Sequence, residues 1–201
     1  MKAHLMVVLG LALGLVLLVF LVASGPASLA QHPCQRYVSI EGSDSSDCSS
    51  EGKPCDTVQY AVNQSADGDR ICVSSVLLRP DPTVYTETIT IDRSVILDGA
   101  WESQCFTHNP CVFQPVEPCA PDRVVLDAAG AGRVISITRK TEPTIDCFTI
   151  TGGDADTLGG DPGGGNAGGG IYSDRASPII VNNVISGNFG CDFCSTTNGY
   201  G

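Results

Sequence analysis

Positive charge is the scarcest property of this chain. Only 11 Lys and Arg stand against 22 Asp and Glu in 201 residues, a formal net charge of −11. Such a surface repels phosphate backbones and anionic headgroups, so nucleic acid is excluded as a partner. Solubility is the plain consequence of the charge, although cations remain admissible ligands. Helical periodicity is equally scarce, with none after Ala66, which excludes a bundle or an alternating α/β architecture. There is no EF-hand loop, no nonapeptide calcium repeat and no second CxxC beside Cys191-x-x-Cys194 to complete a zinc site.

Residues 5–23 form an almost unbroken apolar run behind Lys2. Pro26 follows, then Ser28-Leu29-Ala30, with small residues at −3 and −1 of a cleavage site. Residues 1–30 therefore read as a signal peptide, cleaved to leave Gln31 first. The rival reading is an uncleaved anchor, since the run is long enough to span a bilayer. Any membrane contact would come through this segment alone. Either way the remainder is exported, to the medium or the cell surface. It carries 10 basic and 22 acidic residues once Lys2 is gone, a charge of −12, and all 10 cysteines. In an oxidising compartment disulfides are the default.

Cys48 and Cys55 sit in a Gly/Ser/Asp loop and suit a local pair. Cys105, Cys111 and Cys119 fall in the Pro-rich stretch 101–121, read as a loop with little core of its own that crosslinks would fix. Cys191 and Cys194 follow a strand and a Gly corner rather than opening a helix, which favours a structural disulfide over redox chemistry.

Residues 57–66 place Val58, Ala61 and Val62 on one face of a short helix, with Asp56 or Thr57 as its cap. From Val84 onward, short β-rich runs of three to five residues recur, nearly all followed by Gly, Asp or Asn. Residues 143–154 align without gaps on 178–189. Pro143 meets Pro178, Ile145 meets Ile180, Ile150 meets Ile185 and Gly152 meets Gly187, at an offset of 35. Residues 154–165 lack any apolar run and read as a 12-residue insertion, which leaves 23 residues per repeat.

A repeat of that length suits one turn of a coil with three short strands. No four-residue strand buries its apolar face alone, but stacked turns do so jointly. The expected fold is therefore all-β, a right-handed parallel β-helix with about three short strands per coil and a short N-terminal capping helix. An antiparallel sandwich is the alternative, but it does not require the repeat. The expected organisation is residues 1–30 as signal peptide, 31–83 as capping region and 84–201 as coils, incomplete at the C-terminus. Asn182-Asn183 falls at a corner, where positive φ is needed and an Asn can bond to its counterpart one coil on.

Particular motifs carry a family resemblance. Tyr37-Val38-Ser39, Pro54-Cys55-Asp56-Thr57-Val58, Gly68-Asp69-Arg70-Ile71, Ser94-Val95-Ile96-Leu97-Asp98-Gly99, Gly168-Gly169-Gly170-Ile171-Tyr172 and Ser177-Pro178-Ile179 resemble secreted bacterial β-helix proteins of the pectin-lyase-like superfamily. Gly99-Ala100-Trp101 departs from the Gly-Gly-aromatic corner of that family. The resemblance implies the fold; it says little of activity. It also admits polysaccharide lyases and glycoside hydrolases. The chain stops at Gly199-Tyr200-Gly201, amid turn residues and with no cap like that of residues 57–66, so an N-terminal fragment is expected.

For lyase or hydrolase chemistry the acids available are Asp122, Asp127, Asp146, Asp154, Asp156, Asp161 and Asp174, and the bases Arg133, Arg139, Lys140 and Arg175. They show no catalytic spacing, and the repeat partner of Asp146 is Val181. Turn and surface roles are favoured. Asp154, Asp156 and Asp161 are the candidates for Ca²⁺; no other cofactor is expected. Trp101, Phe106, Tyr172 and Tyr200 are candidates for stacking on sugar rings. Asn63-Gln64-Ser65 fits an N-glycosylation pattern on the expected helix. The expected function is an extracellular, non-catalytic module presenting loops for adhesion or for binding polysaccharide or cell-surface glycan. The alternative is a piece of a carbohydrate-active enzyme.

Overall fold

The computed structural model describes residues 33–106, 109–138, 140–162 and 165–190. Segment 1–30 (read above as a signal peptide), Arg139, Tyr200 and the Cys191/Cys194 pair lie outside them. Thirteen strands and one helix are described: β1 (Arg36–Val38), α1 (Val58–Gln64), β2 (Arg70–Val76), β3 (Thr83–Thr86), β4 (Ile89–Ile91), β5 (Ile96–Phe106), β6 (Asn109–Pro115), β7 (Val124–Asp127), β8 (Ile135–Ile137), β9 (Thr144–Asp146), β10 (Thr149–Thr151), β11 (Ile171–Ser173), β12 (Ile179–Val181) and β13 (Val184–Ile185). The fold is mostly β, with little helix. Every strand pair is parallel except β5 with β6.

Three sheets result. The first runs β1-β2-β5-β9-β12 with β6 beside β5, the second β13-β10-β7-β3, the third β11-β8-β4. The chain visits them in rotation: β2, β3, β4; then β5, β7, β8; then β9, β10, β11; then β12 and β13. Each strand thus lies beside its equivalent from the previous circuit. The pairing of Thr144 with Ile179, Ile145 with Ile180 and Ile150 with Ile185 reproduces the offset of 35 residue for residue. The isolated bridge between Asp154 and Phe189 continues it. Among the described residues of 154–165 there is no strand.

Side-chain alternation along each short strand sends one column inward. Ile71, Leu97, Ile145 and Ile180 form the column of the first sheet. Tyr85, Leu126, Ile150 and Ile185 form that of the second, and Ile89, Ile135 and Ile171 one column of the third. The earlier members of the first two columns are buried in a single core. Gly99 lies where circuits come close: a Cβ there would run into the Cys147 carbonyl oxygen and lie 2.8 Å from the Phe148 ring. Gly99→Ala is expected to cost about 1–3 kcal/mol through overpacking, read as a lower denaturant midpoint with an unchanged slope.

Helix α1 lies at the N-terminal end. Thr57 caps it, its side chain accepting from the Tyr60 N–H at 3.2 Å. Val58, Ala61 and Val62 are buried, as their spacing predicts. The sheets, however, begin before residue 84. β1 and β2 already pair in the first sheet and β3 starts at Thr83, so the expected boundary at 83/84 cuts through a strand. Parallel pairing of β1 needs only a backbone edge, which a short, part-polar run such as Arg36-Tyr37-Val38 does not advertise by apolar pattern.

Residues 101–121 are also corrected. Far from being all loop, they continue β5 to Phe106 and return as β6, an antiparallel hairpin. β9 covers β5 only at Ile96–Asp98, and β6 takes the lane that β9 leaves free.

Candidate functional site

The hairpin is the one antiparallel strand pair in the described stack, and two disulfides fix its surroundings. Cys105–Cys111 ties its arms together and Cys48–Cys55 closes the N-terminal loop beside it. Pro110 is the second and Pro115 the last residue of the outer strand, limiting its capacity to pair with another chain. Gly52 of the N-terminal loop packs so closely that a Cβ there would lie 2.7 Å from Pro110 Cβ.

The two faces of the hairpin differ. The inner face carries Ser103, Cys111 and Phe113, all buried. Phe113 meets Tyr37 edge to face at 5.0 Å. A buried hydroxyl chain runs beneath it: Ser74 Oγ and Ser103 Oγ are 2.7 Å apart, Ser103 Oγ and Ser39 Oγ 3.0 Å. The Tyr85 hydroxyl donates to the Ser74 carbonyl at 2.7 Å, and burial holds that phenol far above its ordinary pKa. Such a satisfied network fixes the base of the hairpin. The outer face carries Glu102, Gln104, Val112 and Gln114. Arg123 Nη2 donates to Glu102 Oε1 at 3.0 Å and Gln114 Nε2 to Glu102 Oε2 at 3.4 Å.

Two clefts flank this element. One of about 310 Å³ lies between the N-terminal loop and the hairpin end, lined by Glu41, Ser43, Ser45, Ser46, Lys53 and Phe106 among others. The Cys105 N–H donates across its floor to Glu41 Oε2 at 3.3 Å. The other, about 220 Å³, lies on the outer face, lined by Leu77, Glu102, Gln104, Phe106, Val112 and Gln114 with Ser103. Phe106 borders both and is 45% exposed.

At the hairpin base, Asp98 accepts from Arg70 Nη1 at 2.6 Å, Trp101 Nε1 at 3.0 Å and the Ala100 N–H at 3.0 Å. Asp146 lies beside it in register on β9 and accepts from Asn182 Nδ2 at 2.9 Å. Asp98 is thus an acid partner of Asp146 that no sequence pattern announces. The repeat offset pairs Asp146 with Val181, one circuit on, whereas Asp98, one circuit back, lies across the hairpin insertion and carries no repeat signal. Even so, the third positions in that row are Cys72 and Val181, and Asp98 is held by three donors.

The other candidates scatter. Asp154 accepts from the Asp156 N–H at 2.8 Å, and Asp156 from Asn166 Nδ2 at 3.1 Å and from the Thr157 N–H at 3.0 Å, so both shape the Gly-rich loop. Asp161 sits further along, beside Gly165. Among the described residues no group of three His, Cys, Asp or Glu is arranged to hold a metal ion. Asp127 accepts from the Ala129 N–H at 2.7 Å, a turn role. Arg133 is no base: its guanidinium stacks 4.0 Å from the Tyr172 ring centre and donates to the carbonyls of Ala167, Leu158 and Gly159, pinning the insertion to the stack. That stacking also takes one Tyr172 face from any sugar, and the Trp101 N–H is held in the ring plane by Asp98. Arg175 pairs with its neighbour Asp174, and Lys140 is exposed.

Cys119 bonds Cys147 rather than a cysteine of its own stretch, and Cys34 bonds Cys72. Asn183 does not meet an Asn. It accepts from the Phe148 N–H at 2.8 Å and donates to the Ile145 carbonyl at 2.8 Å, satisfying the corner one circuit below. Asn188 does the same for Gly153 and Ile150. Among the described residues no helix is long and apolar enough to cross a membrane. No family model, curated protein or solved structure matches the chain.

Proposed function

We propose that this chain forms a secreted or cell-surface right-handed parallel β-helix akin to the pectin-lyase-like superfamily, and that it is a non-catalytic scaffold whose hairpin surface binds glycan. The rotation of strands through three parallel sheets supports the helix. Four disulfides among the described residues support an oxidising compartment. The observation that carries the function is the disulfide-fixed hairpin, which interrupts an otherwise parallel stack and has two clefts of mixed polar and apolar lining beside one exposed aromatic ring. Rigid elements holding loops and clefts in place are what a binding scaffold requires.

The Asp98–Asp146 pair favours a second reading, a glycosidase using adjacent carboxylates. One experiment separates the two: screen the disulfide-bonded chain on a glycan array and, in parallel, assay release of reducing or unsaturated sugars from polysaccharides. Binding without turnover is expected. Turnover lost in Asp146→Asn establishes the second reading, and silence in both assays removes the first.

A further inference from the structure

We propose that the ligand is an uncharged oligosaccharide, held with one pyranose ring stacked on Phe106 and its neighbours reaching into the two clefts. This rests on the glycan-binding reading above. Three observations lead to it. First, Phe106 is about half exposed at the junction of both clefts. An aromatic ring there offers a flat apolar face ringed by polar groups, which matches the C–H face and hydroxyl rim of a sugar. Second, the polar lining consists largely of paired donor–acceptor groups: Ser43 and Ser45 hydroxyls on one side, Gln104 and Gln114 amides on the other. Sugar hydroxyls both donate and accept, so these are their natural complements.

Third, the charges cancel locally. Glu41 shares its cleft with Lys53, and Glu102 is paired with Arg123. Neither cleft offers a net positive field, and the chain as a whole carries −11. An acidic glycan would meet repulsion without compensation; an uncharged one meets none. Disulfides in the loop and in the hairpin that wall the cleft between them hold that cleft open in advance, which lowers the ordering cost of binding.

The test is calorimetric titration of the full, oxidised chain with gluco-, manno- and galacto-oligosaccharides and, separately, with oligogalacturonate. Binding of at least one uncharged series is expected. Phe106→Ala should weaken it by about ten-fold, and Phe106→Trp should preserve it and give an indole fluorescence change on titration. Phe189→Ala, at an exposed ring away from the clefts, should leave the affinity unchanged. If an uncharged series binds but Phe106→Ala binds equally well, the inference falls and glycan binding stands. Binding of oligogalacturonate alone has the same consequence. If no saccharide binds, both fall.

Discussion

Ile145→Ala should remove about 2–5 kcal/mol of stability, whereas Ile180→Ala, the same substitution one circuit later, should cost less than about 1 kcal/mol. The two residues are register partners on β9 and β12. Ile145 lies between Leu97 and Ile180 in one column and is fully buried; Ile180 is 41% exposed because no described strand lies beyond it. Truncating Ile145 leaves a cavity walled by rigid strands on both sides, a site that cannot collapse cheaply. Truncating Ile180 removes a side chain that is 41% exposed and open to solvent on one side, so water rather than an empty cavity takes its place. Calorimetric melting reads the difference: for a domain of this size the first variant should melt roughly 5–15 °C lower and the second almost with the parent. Equal losses would mean that the face beyond β12 is covered in solution, and equal indifference would mean that the columns do not form.

That contrast also marks what the sequence discloses. The column through Ile145 and Ile180 was legible because a single 12-residue insertion is all that lengthens the circuit between its members, and self-similarity at a fixed offset survives a clean insertion. The earlier columns were not legible as repeats. Leu97 and Ile145 are partners across 48 residues because the hairpin and its following loop lie between them. The hairpin itself hid behind its prolines, which argue against a central strand but are compatible with an edge. Its site was equally obscure: Phe106, Gln104 and Gln114 become neighbours only when β6 folds back, and no motif announces that turn. Local signals fared better. The Thr57 cap and the Val58, Ala61, Val62 face depend on residues within one helical turn, and the Cys48–Cys55 pair on seven residues of chain. What most firmly holds α1 was unreadable, because it comes from a side chain nearly thirty positions away.

That side chain is Glu87, and Glu87→Ala should cost about 2–4 kcal/mol. Its two carboxylate oxygens accept the Val58 N–H at 2.9 Å and the Gln59 N–H at 2.8 Å. These are donors of the first helical turn, which have no partners within the helix. Asp44 plays a similar part just outside, accepting from the Asp56 and Thr57 N–H groups and the Thr57 hydroxyl. Removing the Glu87 carboxylate orphans two amides in a partly buried place. Because α1 covers the first circuit, the loss should appear as a shift of the whole unfolding transition rather than as local fraying. Burial pushes the Glu87 carboxyl above its ordinary value of 4.5; the two backbone N–H groups pull it down but do not win, and the Asp44 and Asp56 charges add to the rise. A raised carboxyl binds its proton more readily in the folded chain than in the unfolded one. Its contribution to stability is therefore complete below pH 4.5 and is lost as the pH climbs through the raised folded value. Denaturant midpoints measured from about pH 4 to about pH 7 should carry that downward component in the parent, and Glu87→Gln should lack it. A parent and a Glu87→Gln variant with parallel profiles would show that the carboxylate at the head of α1 is not buried as described, and a Glu87→Ala variant as stable as the parent would show that those two amides find other partners.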